Sequence, residues 1–297
     1  MNLVVGATGL LGTEICRRLT SDGKPVRALV RKSADPAKVA ALEALGTNLV
    51  YGDLKDRAAL DVACDGVSTV ISTASSTFSR QEGDSIESVD SLGQLNLVRA
   101  ATQAGVRHFI FISFPAVGVE FALQSAKRSV EKALAESGLA YTILQPTFFT
   151  EIWLSPAVGF DAANASATIY GDGQNKISFI SYADVARFAA ASVDNLGAHN
   201  KVIKLGGPEP LSPSEVVSIF EEVGGRKFDT SHVLEETLQA QRAAAPDSLK
   251  EAFAALMIYY ARGEAVDMSL AFDVFPVKGA DLTSVRDFAK RLLSAAS

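Results

Sequence analysis

Short runs of apolar, largely β-branched residues alternate along the first half of the chain with segments whose apolar positions recur every three to four residues. The runs fall at 3–5, 26–30, 49–51, 67–72, 108–113 and 141–145, and the helical periodicity at 10–21, 36–45, 56–64, 86–104 and 122–137. Strict alternation of this kind predicts a parallel sheet covered by helices on both faces, with right-handed crossovers. The regularity changes after Pro146. A strand is predicted at 177–180, followed by a helix opening at Ser181 with Asp184 as its capping-box partner. A further strand is predicted at 202–205, and Ser212, Pro213 and Glu215 read as N-cap, N1 proline and N3 carboxylate of another helix. The predicted class is therefore α/β: a doubly wound sheet over residues 1–148, then a smaller α-rich part over 149–297, with some of its strands returning to the first sheet.

The first strand runs directly into Gly6-Ala7-Thr8-Gly9-Leu10-Leu11-Gly12, which opens the first helix. A dinucleotide pyrophosphate needs backbone N–H groups at a helix N-terminus with no side chain in the way, and glycine at this turn provides both. The spacing is G-x-x-G-x-x-G rather than G-x-G-x-x-G, so the context of strand, turn and helix carries the assignment. The competing reading is a turn whose glycines only let helix and strand approach. Thr8 adds a hydroxyl there. The second strand ends in Val30-Arg31-Lys32-Ser33, where an NAD-binding site usually carries an acid for the ribose hydroxyls. A guanidinium at Arg31, with Lys32 beside it, suits the 2′-phosphate of NADP(H) instead. Asp53, in Tyr51-Gly52-Asp53-Leu54, is placed either to accept from the adenine amino group or to cap the next helix.

With these motifs on the chain, the sequence resembles the NmrA-like group of atypical short-chain dehydrogenase/reductases over nearly its whole length. The resemblance rests on the Gly6–Gly12 motif, Arg31, Gly52-Asp53-Leu54, Ser72-Thr73-Ala74-Ser75 and the run from Tyr141 to Phe149. It implies a Rossmann fold in which Thr73, Ala74 and Ser75 line the cofactor. It also implies that Pro146, Thr147, Phe148 and Phe149 border the nicotinamide and the substrate. The family includes quinone reductases, isoflavone-reductase-like enzymes and catalytically silent redox sensors.

One departure is informative. Short-chain dehydrogenases generally use Tyr-x-x-x-Lys, but Lys127 is preceded at i−4 by Leu123, and no tyrosine occurs between Tyr51 and Tyr141. A general acid contributes typically about 10²–10⁴-fold, so a ketone, whose reduction makes an alkoxide, is disfavoured against a quinone or an activated enone. Lys127 is the expected catalytic group, holding the nicotinamide ribose and stabilising negative charge on the substrate, with Ser113 as a weaker catalytic candidate. Phe114, Phe121, Phe148, Phe149, Trp153 and Phe160 suit either a flat apolar substrate or an ordinary core. The expected activity is an NADP(H)-dependent reductase of a small, flat, electron-poor substrate. The alternative is an NADP(H)-binding redox sensor that passes its occupancy to a protein partner.

Bulk properties narrow the rest. The chain has 297 residues, 48% hydrophobic and 21% charged, with a net charge of −6, and lacks the clustered cations a phosphate backbone requires. Nucleic acid is not expected as a direct ligand. Cys16 and Cys64 are in neither disulfide nor zinc spacing, and His108, His199 and His232 do not form a metal-ligand pattern. No Gly-x-Ser-x-Gly elbow points to a hydrolase. Strand-like residues follow Met1 at once and no long apolar run occurs, so a cytoplasmic protein without a membrane span is expected, and a homo-oligomer is compatible with it.

Overall fold

The computed structural model describes residues 1–77 and 81–295. In chain order the alternating half comprises β1 (Asn2–Val5), α1 (Leu10–Ser21), β2 (Val26–Val30), α2 (Pro36–Ala44), β3 (Asn48–Tyr51), α3 (Arg57–Cys64), β4 (Thr69–Ser72), α4 (Gln94–Gln103), β5 (His108–Ile112), α5 (Ala122–Glu136) and β6 (Ala140–Pro146). A π-helical stretch, Ile86–Gly93, runs straight into α4. The pattern had predicted one uninterrupted α-helix over 86–104. After β6 come β7 (Phe148–Phe149), α6 (Thr150–Trp153), β8 (Phe160–Asp161), β9 (Ser166–Tyr170), β10 (Ile177–Ile180), α7 (Tyr182–Ser192) and β11 (Lys201–Leu205). The chain finishes with β12 (Pro210–Leu211), α8 (Pro213–Gly224), β13 (Asp229–Val233), α9 (Glu235–Ala243), α10 (Ser248–Arg262), α11 (Ser269–Val274) and α12 (Val285–Ala295).

The main sheet has the order β11-β6-β5-β4-β1-β2-β3, and β1 to β6 pair in parallel. The strand order reverses at β1 and β4, the switch point at which open α/β sheets bind ligands beyond their strand ends. Both faces are covered, as a parallel sheet requires. Leu3, Val5, Val70, Phe109 and Phe111 pack into one cluster with Leu60 of α3, Leu97 of α4 and Val130 of α5. Their neighbours Val4, Ile71 and Ile110, which point the other way, are equally buried. Each such side chain withdrawn from water contributes roughly 1.5–3 kcal/mol.

The chain divides into two compact units. The first consists of Met1–Ala116, Ala122–Gln145 and Val185–Ile203; the second of Val117–Phe121, Pro146–Asp184 and the chain from Lys204 onward. Most of α7 and the start of β11 fall in the first unit, where β11 takes its place beside β6. The second unit holds two three-stranded sheets, β12-β10-β7 and β13-β9-β8, besides its helices. Local capping chemistry shows up as written in the sequence at α8, where Glu215 N–H donates to Ser212 Oγ at 3.2 Å and Ser212 N–H to Glu215 Oε2 at 2.7 Å. At α7 Ser181 Oγ accepts the Ala183 N–H at 3.2 Å, Glu151 takes the Tyr182 N–H at 3.0 Å, and Asp184 accepts Thr283 N–H at 2.8 Å. No helix of the described residues is long and apolar enough to cross a membrane.

Candidate active site

Parallel pairing aligns the ends of β1 and β4, Val5 opposite Ser72, so the loops that follow them meet. Gly6 follows at φ +83°, and a Cβ there would stand 2.6 Å from Thr73 Oγ1 and 2.8 Å from Ala74 N. At Gly12 a Cβ would lie 2.1 Å from Gly6 O, so these two glycines are demanded by the packing of helix, strand and loop. Gly9 is different. Its Cβ would meet only Gly6 O, at 3.3 Å, and its φ is an ordinary −81°. It stands at the N-cap of α1, which no side chain caps, whereas α2 and α3 are capped by Asp35 and Asp56. Close packing therefore accounts fully for Gly6 and Gly12 and only in part for Gly9, which also leaves the helix N-terminus bare, where anions are favoured by N–H groups and dipole. Thr8 and Leu11 are half-buried beside it, and Leu10 is 62% exposed.

The loop after β4 is held from behind. Thr73 N–H and Oγ1 both donate to Val5 O, at 2.9 and 3.2 Å. Gln94, fully buried, takes the Ser72 hydroxyl on Oε1 at 2.8 Å and donates from Nε2 to Ala74 O at 2.9 Å. Ser75 Oγ lies 3.2 Å from Thr77 Oγ1.

At the end of β2, Arg31 Nη1 lies 2.7 Å from Asp84 Oδ2, and Lys55 Nζ bonds the other oxygen of the same carboxylate. Asp84 is 1% exposed at its side chain and also accepts Gln81 N–H at 3.0 Å. Burial pushes its carboxyl up, but the bonds from Lys55, Gln81 and Arg31 prevail and hold it below the usual range. Lys32 is exposed. Asp53 accepts the Lys55 N–H at 2.8 Å, while the cap of α3 comes from Asp56, and Leu54 is buried against Gly93. Sequence reasoning missed Lys55 and Asp84, whose spacing from Arg31 carries no local signal.

Lys127, on α5, is 5% exposed, and its Nζ sits 3.4 Å from Ile112 O, 4.9 Å from the centre of the Phe111 ring and 3.7 Å from Asp90 Oδ1. Burial holds its pKa below the usual lysine value, and Asp90 and then Glu131 oppose that only in part. Asp90, fully buried on the π-helical stretch, accepts Ser76 N–H at 2.9 Å and Ser76 Oγ–H at 2.7 Å on Oδ2. Leu123, four residues before Lys127, is 4% exposed. Ser113 is buried at the end of β5, its hydroxyl accepting from Arg128 Nη2 at 3.0 Å.

Pro146 to Phe149 belong to the second unit. Thr147 donates from N to Leu205 O at 3.0 Å and from its hydroxyl to Ser178 O. Phe148 is buried among Trp153, Tyr259 and Tyr260, with Trp153 stacked on Tyr260 at 4.6 Å and 4°. Of the aromatic residues singled out in the sequence, Phe160 packs instead with Phe220 and Phe228. The same unit carries an open depression of about 500 Å³ lined by residues including Val119, Arg242, Glu251, Ile258 and Arg262. Both cysteines are buried free thiols, and no cluster of three metal-ligating side chains occurs among the described residues.

A parallel sheet with strand order 3-2-1-4-5-6 and an uncapped glycine turn at its switch point define a dinucleotide-binding protein of the Rossmann type. The chain belongs to the NmrA-like family, which it matches over residues 2–288. It is 32% identical to an isoflavone reductase homologue of Zea mays, over 95% of this chain and 92% of that one. It is 30% identical to an NAD(P)H azoreductase of Xenophilus azovorans, over 98% and 97% of the two chains. Among solved structures it is similar to an NADPH-dependent quinone oxidoreductase of Escherichia coli complexed with NADPH, with TM-score 0.78, 25% identity and coverage of 98% and 99%.

Proposed function

We propose that the protein is an NADP(H)-dependent reductase that transfers hydride to a small, flat, electron-poor acceptor such as a quinone or an activated enone. The observation that carries this reading is the buried Lys127 amino group beside Asp90 with Leu123, not tyrosine, at i−4. Relatives described as NAD(P)H azoreductase and NADPH-dependent quinone oxidoreductase support it.

The residues fit the cofactor. The uncapped start of α1 at Gly9 would take the pyrophosphate, Arg31 and Lys55 the 2′-phosphate, and the loop Thr73–Ser75 the adjoining faces. When bound, NADPH supplies the hydride, and the protein supplies binding, orientation and electrostatics. Lys127 Nζ contributes a fixed positive charge in a site shielded by Phe111, where low polarity strengthens its pull on a developing anion. That charge is enough for a quinone, whose reduced product is a phenolate-like anion with pKa of about 10 by analogy with tyrosine. It serves a ketone poorly, since an alkoxide demands a proton at once.

The test is NADPH oxidation by the purified protein against a panel of quinones, activated enones and azo compounds, with binding of NADPH, NADP⁺ and NADH titrated in parallel. Turnover of quinones or enones is expected, and preferential turnover of simple ketones would overturn the reading. Leu123 also favours a second function, a redox sensor. Tight NADP-selective binding with no turnover on any acceptor would establish that instead.

A further inference from the structure

We infer that Asp90, presented by the π-helical stretch and fixed by Ser76, is the positioning residue for Lys127, holding its ammonium in place as a cation at the end of β5. The inference rests on the reductase reading for its purpose but not for its geometry. Asp90 is wholly buried, and its two oxygens are used unequally. Oδ2 takes both the N–H and the hydroxyl of Ser76, at 2.9 and 2.7 Å. Oδ1 has no hydrogen-bond partner among the described residues, yet it is the oxygen that faces Lys127 Nζ, at 3.7 Å. Both Ser76 bonds use one oxygen, so pinning that loop does not by itself call for a charged group, whereas the neighbouring Lys127 does.

The surroundings leave Asp90 as the main counter-charge. Phe111 covers one side of the ammonium and Ile112 O accepts from it at 3.4 Å. From its own helix, Glu131 raises the lysine's pKa and Arg128 lowers it, and these two are themselves paired at 3.0 Å. Buried lysines without a partner lose their proton at pKa values of about 5–6. A carboxylate within reach opposes that loss, and burial and Asp90 are the first two influences on Lys127. The Ser76 bonds matter because they stop Asp90 from rotating away. The π-helical stretch is the local device, and such turns recur at functional sites.

The experiment follows Lys127 itself in the full-length protein, by NMR of ¹³Cε-labelled lysine, its resonance assigned by Lys127→Arg. In Asp90→Asn, Lys127 is expected to lose its proton about 1–3 pH units lower than in the wild type. Turnover needs the ammonium, so the alkaline limb of the kcat profile should move down by the same amount. The acceptor KM should change little, and Asp90→Glu should restore the limb. Identical Lys127 titrations in wild type and Asp90→Asn would overturn the inference. So would a wild-type Lys127 already neutral at pH 7, a measurement that stands even if Asp90→Asn does not fold. If the titration shifts as expected but the wild type reduces no acceptor, the Asp90–Lys127 pair stands and the reductase reading falls.

Discussion

Arg31→Ala separates binding from folding. Asp84 is almost fully buried, and an uncompensated carboxylate there would destabilise the fold, but in this variant it keeps Lys55 and the Gln81 N–H at 3.0 Å. The fold should therefore survive, and the loss should appear in the cofactor. A charge-assisted hydrogen bond is worth about 1.5–3 kcal/mol, which corresponds to roughly ten- to hundredfold in affinity. NADPH should weaken by that factor while NADH, which lacks the 2′-phosphate, changes about two- to threefold at most. Lys55 should preserve a residual preference for NADPH, because its ammonium reaches the same carboxylate as Arg31. Fluorescence or calorimetric titration of both cofactors at one fixed salt concentration measures it, salt being held because partly exposed charges are screened. Equal weakening of NADPH and NADH would show that Arg31 supports the loop architecture and does not read the 2′-phosphate.

Three further outcomes are expected. Gly12→Ala should lower stability by at least about 1–3 kcal/mol, because its Cβ would press on Gly6 O from 2.1 Å; Gly9→Ala, whose Cβ would meet the same oxygen at 3.3 Å, should cost less stability than Gly12→Ala yet bind NADPH about tenfold or more weakly, and unchanged binding would remove Gly9 from the pyrophosphate. Lys127→Ala should cost stability on the order of 3 kcal/mol by leaving Asp90 buried without its cation, and adding Asp90→Asn should recover most of that in urea melts; no recovery would mean the two are not coupled. Burial and the neighbouring His199 lower the pKa of His108 from 6.5 to about 4. A depressed histidine pKa contributes stability that is full above pH 6.5 and fades as pH falls toward 4, by about 3 kcal/mol at most. Replacing His108 with leucine should flatten the stability profile in that window relative to wild type, and parallel profiles would rule the imidazole out.

The parts of the fold that were legible in the sequence are those decided locally. The bounds of α1 and β10 coincide with the periodicity that predicts them, and Ser212, Pro213 and Glu215 write the start of α8 in three residues. β13, with the sequence Asp-Thr-Ser-His-Val and a mostly exposed face, is a strand because β9 offers it a parallel partner over five residues, and no local pattern announces that. The site divides in the same way. Gly6 to Gly12 and Arg31 stand in a motif and at a strand end, so position alone nominates them, whereas Lys127, inside α5, is nominated by the family resemblance. Asp90, Gln94 and Asp84 are polar residues in a polar stretch, and along the chain nothing distinguishes them from Ser88 or Ser91. Their importance comes from what the fold brings to them: a loop after β4 for Gln94 and Asp90, and two cations from β2 and the β3 loop for Asp84.

That distinction bears on the missing tyrosine. In the sequence, Leu123 is an absence, a position where an acid should be. In the structure it is a buried apolar side chain, so residue 123 itself supplies no proton. The ionisable pair that remains, Lys127 and Asp90, consists of a cation held by a carboxylate whose other oxygen is tied to Ser76. Asp90 opposes the loss of the proton that burial favours, because deprotonating Lys127 would leave the Asp90 carboxylate buried without its counter-charge. On the reductase reading, the site is therefore suited to acceptors whose reduced form persists as a delocalised anion until solvent protonates it. It is the Asp90 carboxylate, more than the lysine alone, that makes this electrostatic role preferable to proton donation.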